Sequence, residues 1–287
     1  MKYRELYLWG KEQLLQENIP DGEWDARLLL EHICHTNRNT LLVYGDRQVN
    51  EDEEQEYRNS IQKRKQHIPL QHITGVQEFM GLEFQVNEHV LIPRQDTETL
   101  VEEVMRYRQD GDRILDMCTG SGCILLSLLH YSNHCTGVGV DISPLALQVA
   151  KENGKRMAEL SRPIQWEENT AVFMESDLFS KIPKEKFDII VSNPPYIASA
   201  VIPTLMEEVK KYEPISALDG KEDGLFFYRK IVTESIDYLK KEGMLFFEIG
   251  HDQAQAVSSL MQENGFSDVT VVKDLAGLDR VVYGSYL

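Results

Sequence analysis

Ile114-Leu115-Asp116-Met117-Cys118-Thr119-Gly120-Ser121-Gly122 reads as a buried strand handing over to a helix through a glycine-rich turn. Ile114 to Met117 is apolar enough to be covered on both faces. Glycines at such a turn let the backbone approach a ligand and leave helix N-terminal amides free to bind it. Outward from this stretch the chain alternates. The patterning predicts strands over 113–117, 136–140, 171–174, 187–191, 244–249, 269–272 and 281–286. Helices are expected over 124–130, 144–160, 224–240 and 252–262. Strands alternating with helices argue for a Rossmann-like, doubly wound α/β fold with a mostly parallel sheet. Only 273–280 joins the last two strands, which is too short for a parallel crossover. They are therefore expected to form an antiparallel pair at the sheet edge.

A glycine turn after the first strand also marks dinucleotide enzymes, or a plain turn with no ligand. The following strand ends Val138-Gly139-Val140-Asp141. A carboxylate there can accept both hydroxyl hydrogens of a ribose, in NAD and S-adenosylmethionine alike. The loop spacing separates the two: Asp116-x-Cys118-x-Gly120-x-Gly122 is not GxGxxG. It resembles the D-x-G-x-G-x-G loop of class I S-adenosylmethionine-dependent methyltransferases, with Cys118 in the first glycine's place. In that class an acidic residue after the third strand meets the adenine amino group, beside a backbone amide on the ring. Asp177 and Leu178 stand there; apart from the resemblance, Asp177 reads equally as the cap of a turn.

Asn193-Pro194-Pro195-Tyr196 leaves the carboxyl end of the strand at 187–191, the edge where ligands bind in doubly wound sheets. Successive prolines stiffen the backbone and remove two amide donors. The Asn193 side-chain oxygen and the Pro194 carbonyl can together accept both hydrogens of an NH2 group. Tyr196 can stack on the planar group that carries it. An amide or aryl-amine nitrogen is a poor nucleophile because its lone pair is delocalised. Accepting both hydrogens while aligning the nitrogen with a sulfonium methyl favours in-line transfer. No side chain stands out as a strong base, and none is required before attack.

The 287 residues carry a formal charge of −17, with 42% hydrophobic and 27% charged residues. Such a chain buries a core but lacks the basic balance of a protein steered to nucleic-acid phosphates, so no direct nucleic-acid partner is expected. Cys34, Cys118, Cys123 and Cys135 form no CxxC pair and read as reduced thiols. No run of about 18 uncharged apolar residues occurs, and the start lacks a signal peptide's apolar core. A cytoplasmic chain without membrane contact is expected. The first 70 or so residues read as helices. Leu6, Leu14 and Leu15 lie on one stripe. Asp21 offers a cap to a second face carrying Trp24, Leu28, Leu29, Leu30 and Ile33. Asn50 caps a charged helix to Gln66 that is anchored by Tyr57 and Ile61. Alternation at Leu82-Glu83-Phe84-Gln85-Val86 suggests a hairpin running into Val90–Arg94, before a helix over 96–107. His32 and His35 have no further ligand cluster, so no metal is expected.

Over nearly its whole length the chain resembles the peptide chain release factor N5-glutamine methyltransferases (the PrmC/HemK family). The resemblance rests on Pro69-Leu70-Gln71-His72-Ile73-Thr74-Gly75, Glu78-Phe79-Met80-Gly81 and Leu91-Ile92-Pro93-Arg94-Gln95-Asp96-Thr97-Glu98. It continues through the glycine loop, Asn193–Ile197, Glu213-Pro214, Asp223-Gly224-Leu225, Glu248-Ile249-Gly250 and Asp274–Arg280. It implies a helical substrate-recruiting domain (1–74), a β-hairpin linker (75–95) and a catalytic domain (96–287). The implied methyl acceptor is the glutamine of the release-factor Gly-Gly-Gln motif, with S-adenosyl-L-homocysteine as co-product. Cys118, Thr119, Gly120, Ser121, Gly122, Asp141, Asp177, Leu178 and Asn193 would contact the donor. Asn193, Pro194, Pro195 and Tyr196 would hold the amide, and Arg94, Thr97 and Glu98 would shape the site. By spacing alone, Arg94 and Glu98 read equally as an ion pair at a helix start. The resemblance suggests a monomer. Methylation of ribosomal protein L3 needs the same amide chemistry. An adenine-N6 DNA methyltransferase shares the tetrapeptide but wants a basic recognition domain.

Overall fold

The structure, a computed structural model, describes residues 1–160 and 169–287. They form two compact units, Met1–Val76 with Met206–Tyr212, and Gln77–Leu205 with Glu213–Leu287.

The first unit is helical: α1 (Tyr3–Gln16), α2 (Gly22–Ile33), α3 (Arg38–Tyr44), α4 (Glu51–Lys65), α5 (Leu70–Thr74) and, later in the chain, α9 (Glu207–Tyr212). Asn50 caps α4, its side chain accepting the Glu53 amide hydrogen at 2.8 Å. Acidic residues fill the first turn, where the helix dipole favours them. Tyr57 and Ile61 are buried among Leu6, Leu14, Ala26, Leu29, Leu30 and Ile33. Three residues expected inside turn outward: Leu15, Trp24 at 58% exposure and Leu28 at 39%. Asp25 and Ala26 take the inner side of α2 instead. The inward carboxylate is matched, because Arg64 reaches Asp25 at 2.7 Å and Glu208 at 2.7 Å. Burial raises the Asp25 carboxyl and Arg64 opposes that rise. Asp21 sits at the N-cap of α2 without a side-chain capping bond. His32 and His35 are exposed.

The second unit is α/β. Strands β1 (Val76–Phe79) and β2 (Leu82–Gln85) form the hairpin, and the chain then runs irregularly into α6 (Gln95–Tyr107). There follow β3 (Arg113–Met117), α7 (Cys123–His130), β4 (Thr136–Asp141), α8 (Pro144–Leu160), β5 (Thr170–Glu175) and β6 (Phe187–Ser192). After these come α10 (Ile215–Leu218), α11 (Phe226–Ser235), β7 (Leu239–Glu248), α12 (Ala254–Glu263), β8 (Phe266–Lys273) and β9 (Asp279–Tyr286). The seven strands β3–β9 make one sheet in the order β5-β4-β3-β6-β7-β9-β8. The first five are parallel, and β9 is antiparallel to both neighbours. The antiparallel pair is therefore at the edge as expected, but the last strand inserts inside β8. A helix anticipated over 224–240 ends at Ser235, and β7 begins at Leu239.

Side chains of successive strand residues point to opposite faces. Ile114, Ile189 and Phe246 join one core with α6, α7 and α8. Leu115, Ile190 and Phe247 join the other with α11 and α12. Two covered faces explain the unbroken apolar runs of the central strands. No helix of the described residues is long and apolar enough to cross a membrane.

Candidate active site

The parallel register sets Met117 beside Val140 and Ser192, Val140 beside Met174, and Asp141 beside Glu175. The loops after β3, β4, β5 and β6 therefore leave the sheet at one level. They enclose a cavity of about 350 Å3 lined by the Cys118–Ser121 turn, Asp141, Asp177, Leu178, Asn193 and Pro195, among others. That volume lies within the range of small-molecule sites, about 300–1,000 Å3.

The turn after β3 is held at both ends. The Thr119 amide donates to the Val140 carbonyl at 2.9 Å and the Gly122 amide to the Thr119 carbonyl at 2.8 Å. The Thr119 hydroxyl donates to buried Asp116 at 2.5 Å, and burial pushes that carboxyl up to about 7. Alternate residues are left-handed: Cys118 at φ 62°, Gly120 at 54° and Gly122 at 79°. The first is strained for an L-residue. At Gly122 a Cβ would also lie 3.2 Å from the Phe173 ring, so the residue at the N-cap of α7 has both a conformational and a steric reason to be glycine.

Asp141 belongs to this turn as much as to β4. One carboxylate oxygen accepts the Gly120 amide at 2.9 Å and the other the Ser143 amide at 2.9 Å. Burial raises its pKa and these amides oppose the rise. Asp177 is exposed at the rim. Leu178 is buried at φ 49°, its carbonyl accepting from the Ser176 hydroxyl at 2.6 Å.

Asn193 is half-buried, and its Nδ2 donates to the Thr97 hydroxyl at 3.4 Å. Thr97 is buried and lines the cavity. Pro194 and Pro195 are buried. The Tyr196 backbone is gripped from below, with Gln253 Nε2 donating to its carbonyl at 3.0 Å. Its hydroxyl donates to Glu248 at 3.4 Å, so the Tyr196 phenol is turned to the interior rather than among the cavity-lining side chains. Burial and the Glu248 charge push that phenol upward.

Arg94 and Glu98 do not pair. Arg94 forks onto both Glu213 oxygens at 2.7 Å, tying the start of α6 to the segment before Pro214 at the cavity mouth. Glu98 accepts the Met80 amide at 2.6 Å and so secures the β1–β2 turn. Arg94 and Thr97 line the cavity with Asn193, whereas Glu98 faces the hairpin.

Sequence reasoning gave no role to Glu248, although it ends β7 next to the tetrapeptide. It is 2% exposed. Burial pushes its carboxyl up to about 7, opposed by the Thr97 hydroxyl and the Arg280 charge. Arg280 is fixed by Asp274 at 3.0 Å and Asp96 at 3.2 Å. A carboxylate closing an apolar strand beside the glycine-loop edge was the available signal.

Among known families, residues 5–75 match the PrmC N-terminal domain and residues 95–210 the methyltransferase small domain. The chain is 41% identical to the release factor glutamine methyltransferase of Clostridium botulinum, covering 98% of each chain. It is 38% identical to that of Geobacter sulfurreducens, covering 98% of this chain and 95% of the other. A solved methyltransferase from Pyrococcus furiosus aligns with a TM-score of 0.52 at 15% identity, covering 72% of this chain and 90% of that one, a likeness of fold alone.

Proposed function

The chain belongs to the release factor glutamine methyltransferases, and we propose that its cavity receives S-adenosylmethionine together with the glutamine side chain of a release-factor Gly-Gly-Gln segment. The residues present fit such a donor. Asp141 offers a carboxylate fixed by two amides, Leu178 an apolar wall, and the turn from Cys118 to Ser121 a backbone edge on the cavity, where a Cβ at Gly120 would meet no protein atom within 4 Å. When bound, S-adenosylmethionine supplies a methyl group on a positively charged sulfur. In this reading Asp141 takes the ribose hydroxyls, Asp177 and Leu178 border the adenine, and the turn with Asn193 borders the methionine portion.

The tetrapeptide supplies the chemistry. Asn193 Oδ1 and the Pro194 carbonyl accept the two N–H hydrogens of the glutamine amide. As the nitrogen gives up its lone pair it becomes positive and its hydrogens more acidic. Those two bonds then strengthen towards the transition state, which is where binding accelerates a reaction. Buried prolines keep the two acceptors from reorganising. Tyr196 is reassigned from stacking partner to anchor, because its hydroxyl faces Glu248. Arg94 and Thr97 hold the wall beside Asn193, and Glu98 acts through the hairpin.

The observation that carries this reading is that Asn193 and Pro195 line the same cavity as Asp141 and the glycine turn. The helical unit recruits the release factor, and the enzyme works as a cytoplasmic monomer. Peptide mass spectrometry of a bacterial release factor after incubation with enzyme and donor tests the substrate. One added methyl on the Gly-Gly-Gln peptide is expected; a methyl confined to other peptides would refute the assignment.

A further inference from the structure

An asparagine side chain can accept the hydrogens of a substrate amide only if its oxygen faces them. Rotated by half a turn, Asn193 would present its own NH2, and donor would meet donor. Something in the protein must therefore choose the orientation. Behind Asn193 stands the Thr97 hydroxyl, 3.4 Å from Nδ2. Behind Thr97 lies the buried Glu248, whose Oε1 accepts from the Tyr196 hydroxyl at 3.4 Å and whose Oε2 is buried with no other partner among the described residues, the Thr97 hydroxyl helping to hold that carboxyl charged. A hydroxyl has one hydrogen and two lone pairs, whereas a carboxylate only accepts. With its hydrogen given to Glu248, Thr97 has only lone pairs left for Asn193. Asn193 must then turn Nδ2 to Thr97, and the planar carboxamide sends Oδ1 the other way. Arg280, facing the same carboxylate with Asp274 and Asp96 behind it, favours the ionised form of Glu248 that this order requires.

We propose that Thr97 and Glu248 are positioning residues that hold the Asn193 carboxamide oxygen towards the methyl acceptor, and so make the enzyme choose a glutamine amide over a glutamate carboxylate. The proposal rests on the functional reading above. A carboxylate would meet the Asn193 oxygen and be repelled. An asparagine freed to rotate would offer it an N–H instead.

The test uses the full-length enzyme at pH 8 with a purified bacterial release factor as substrate. The same factor with glutamate replacing the Gly-Gly-Gln glutamine serves as competitor. For Thr97→Val, kcat is expected to fall about tenfold or more, the worth of one misdirected hydrogen bond. KM for the donor should stay within a few-fold, and inhibition by the glutamate factor should strengthen about tenfold relative to wild type. Thr97→Ser, which keeps the hydroxyl, should rescue both values. Glu248→Gln can donate to Thr97 and thus release its hydrogen to Asn193, so it should shift selectivity in the same direction. It also provides the test if Thr97→Val does not fold. Lost kcat with no gain in inhibition by the glutamate factor, in whichever variants fold, would overturn the proposal while leaving the function standing. A wild-type enzyme that fails to methylate the glutamine factor would instead overturn the functional reading, and this proposal with it.

Discussion

Gly224 is the residue at which a single added carbon should separate catalysis from cofactor binding. It lies at φ 75°, and a Cβ built there would sit 2.3 Å from the Tyr196 carbonyl oxygen and 2.7 Å from Gln253 Nε2. A carbon–oxygen contact needs about 3.3 Å, so Gly224→Ala must push that carbonyl away by about 1 Å. The Gln253 bond to it, 3.0 Å long, would be lost. Left-handed backbone costs alanine about 1–2 kcal/mol, and a lost buried hydrogen bond about 1 kcal/mol. Stiffening of the unfolded chain returns about 0.4–1 kcal/mol. The net destabilisation is about 1–2.5 kcal/mol, a fall in Tm of about 2–10 °C for a domain of this size. Catalysis suffers more, because Tyr196 closes the tetrapeptide that carries the amide acceptors. A displacement of about 1 Å there is worth about 100-fold in kcat. KM for S-adenosylmethionine should change little, since the glycine turn and Asp141 lie on other strands. Steady-state methylation of a release factor, with thermal melting as the fold control, reads all three quantities. A folded Gly224→Ala enzyme with kcat within about threefold of wild type would show that the Tyr196 backbone does not transmit to Asn193, and the reasoning would fail.

Asp141→Asn leaves an NH2 facing either the Gly120 or the Ser143 amide and removes the charge offered to the ribose, so KM for S-adenosylmethionine should rise at least about tenfold; an unchanged donor isotherm would place the ribose elsewhere. Arg64→Met strands the Asp25 carboxyl in the helical core and should cost that unit about 3 kcal/mol, visible as an early melting transition; an unchanged melt would deny the ion pair its role. The Glu248 carboxyl is pushed from 4.5 to about 7 by burial, so the folded state binds the proton more tightly than the unfolded chain. Its contribution to stability is thus full below pH 4.5 and lost as pH rises towards 7, amounting to about 3 kcal/mol. Glu248→Gln should flatten that part of the Tm profile between pH 5 and 7.5, and an identical slope in the variant would contradict the burial argument.

The strands around the glycine turn were legible because burial on both faces leaves uninterrupted apolar runs, and β3 begins and ends where the pattern says. Less was legible where tertiary context decides. Helices α3 and α9 bury no residue and have no periodic apolar face to announce them. Trp24 and Leu28 looked like core because nothing local reveals that Asp25 turns inward to Arg64. The insertion of β9 inside β8 depends on a pairing between residues distant in sequence, and Lys240-Lys241-Glu242 disguised the start of β7. At the site, Asp141 and Asn193 could be named because their strand-end positions define their surroundings. The true partners of Arg94 and Glu98 could not, since Glu213 and Met80 reach them only through the fold. Glu248 was visible as a residue, but its proximity to Tyr196 was not.

The central claim is that Asn193 presents a release-factor glutamine to the methyl donor. Transfer of label from radioactive S-adenosylmethionine tests it most directly, using a purified bacterial release factor, its variant lacking the Gly-Gly-Gln glutamine, and the Asn193→Ala enzyme. Label on the intact factor, none on the variant, and a loss of about 100-fold or more with Asn193→Ala is the expected result. Equal labelling of both factors, or undiminished transfer by Asn193→Ala, would contradict it.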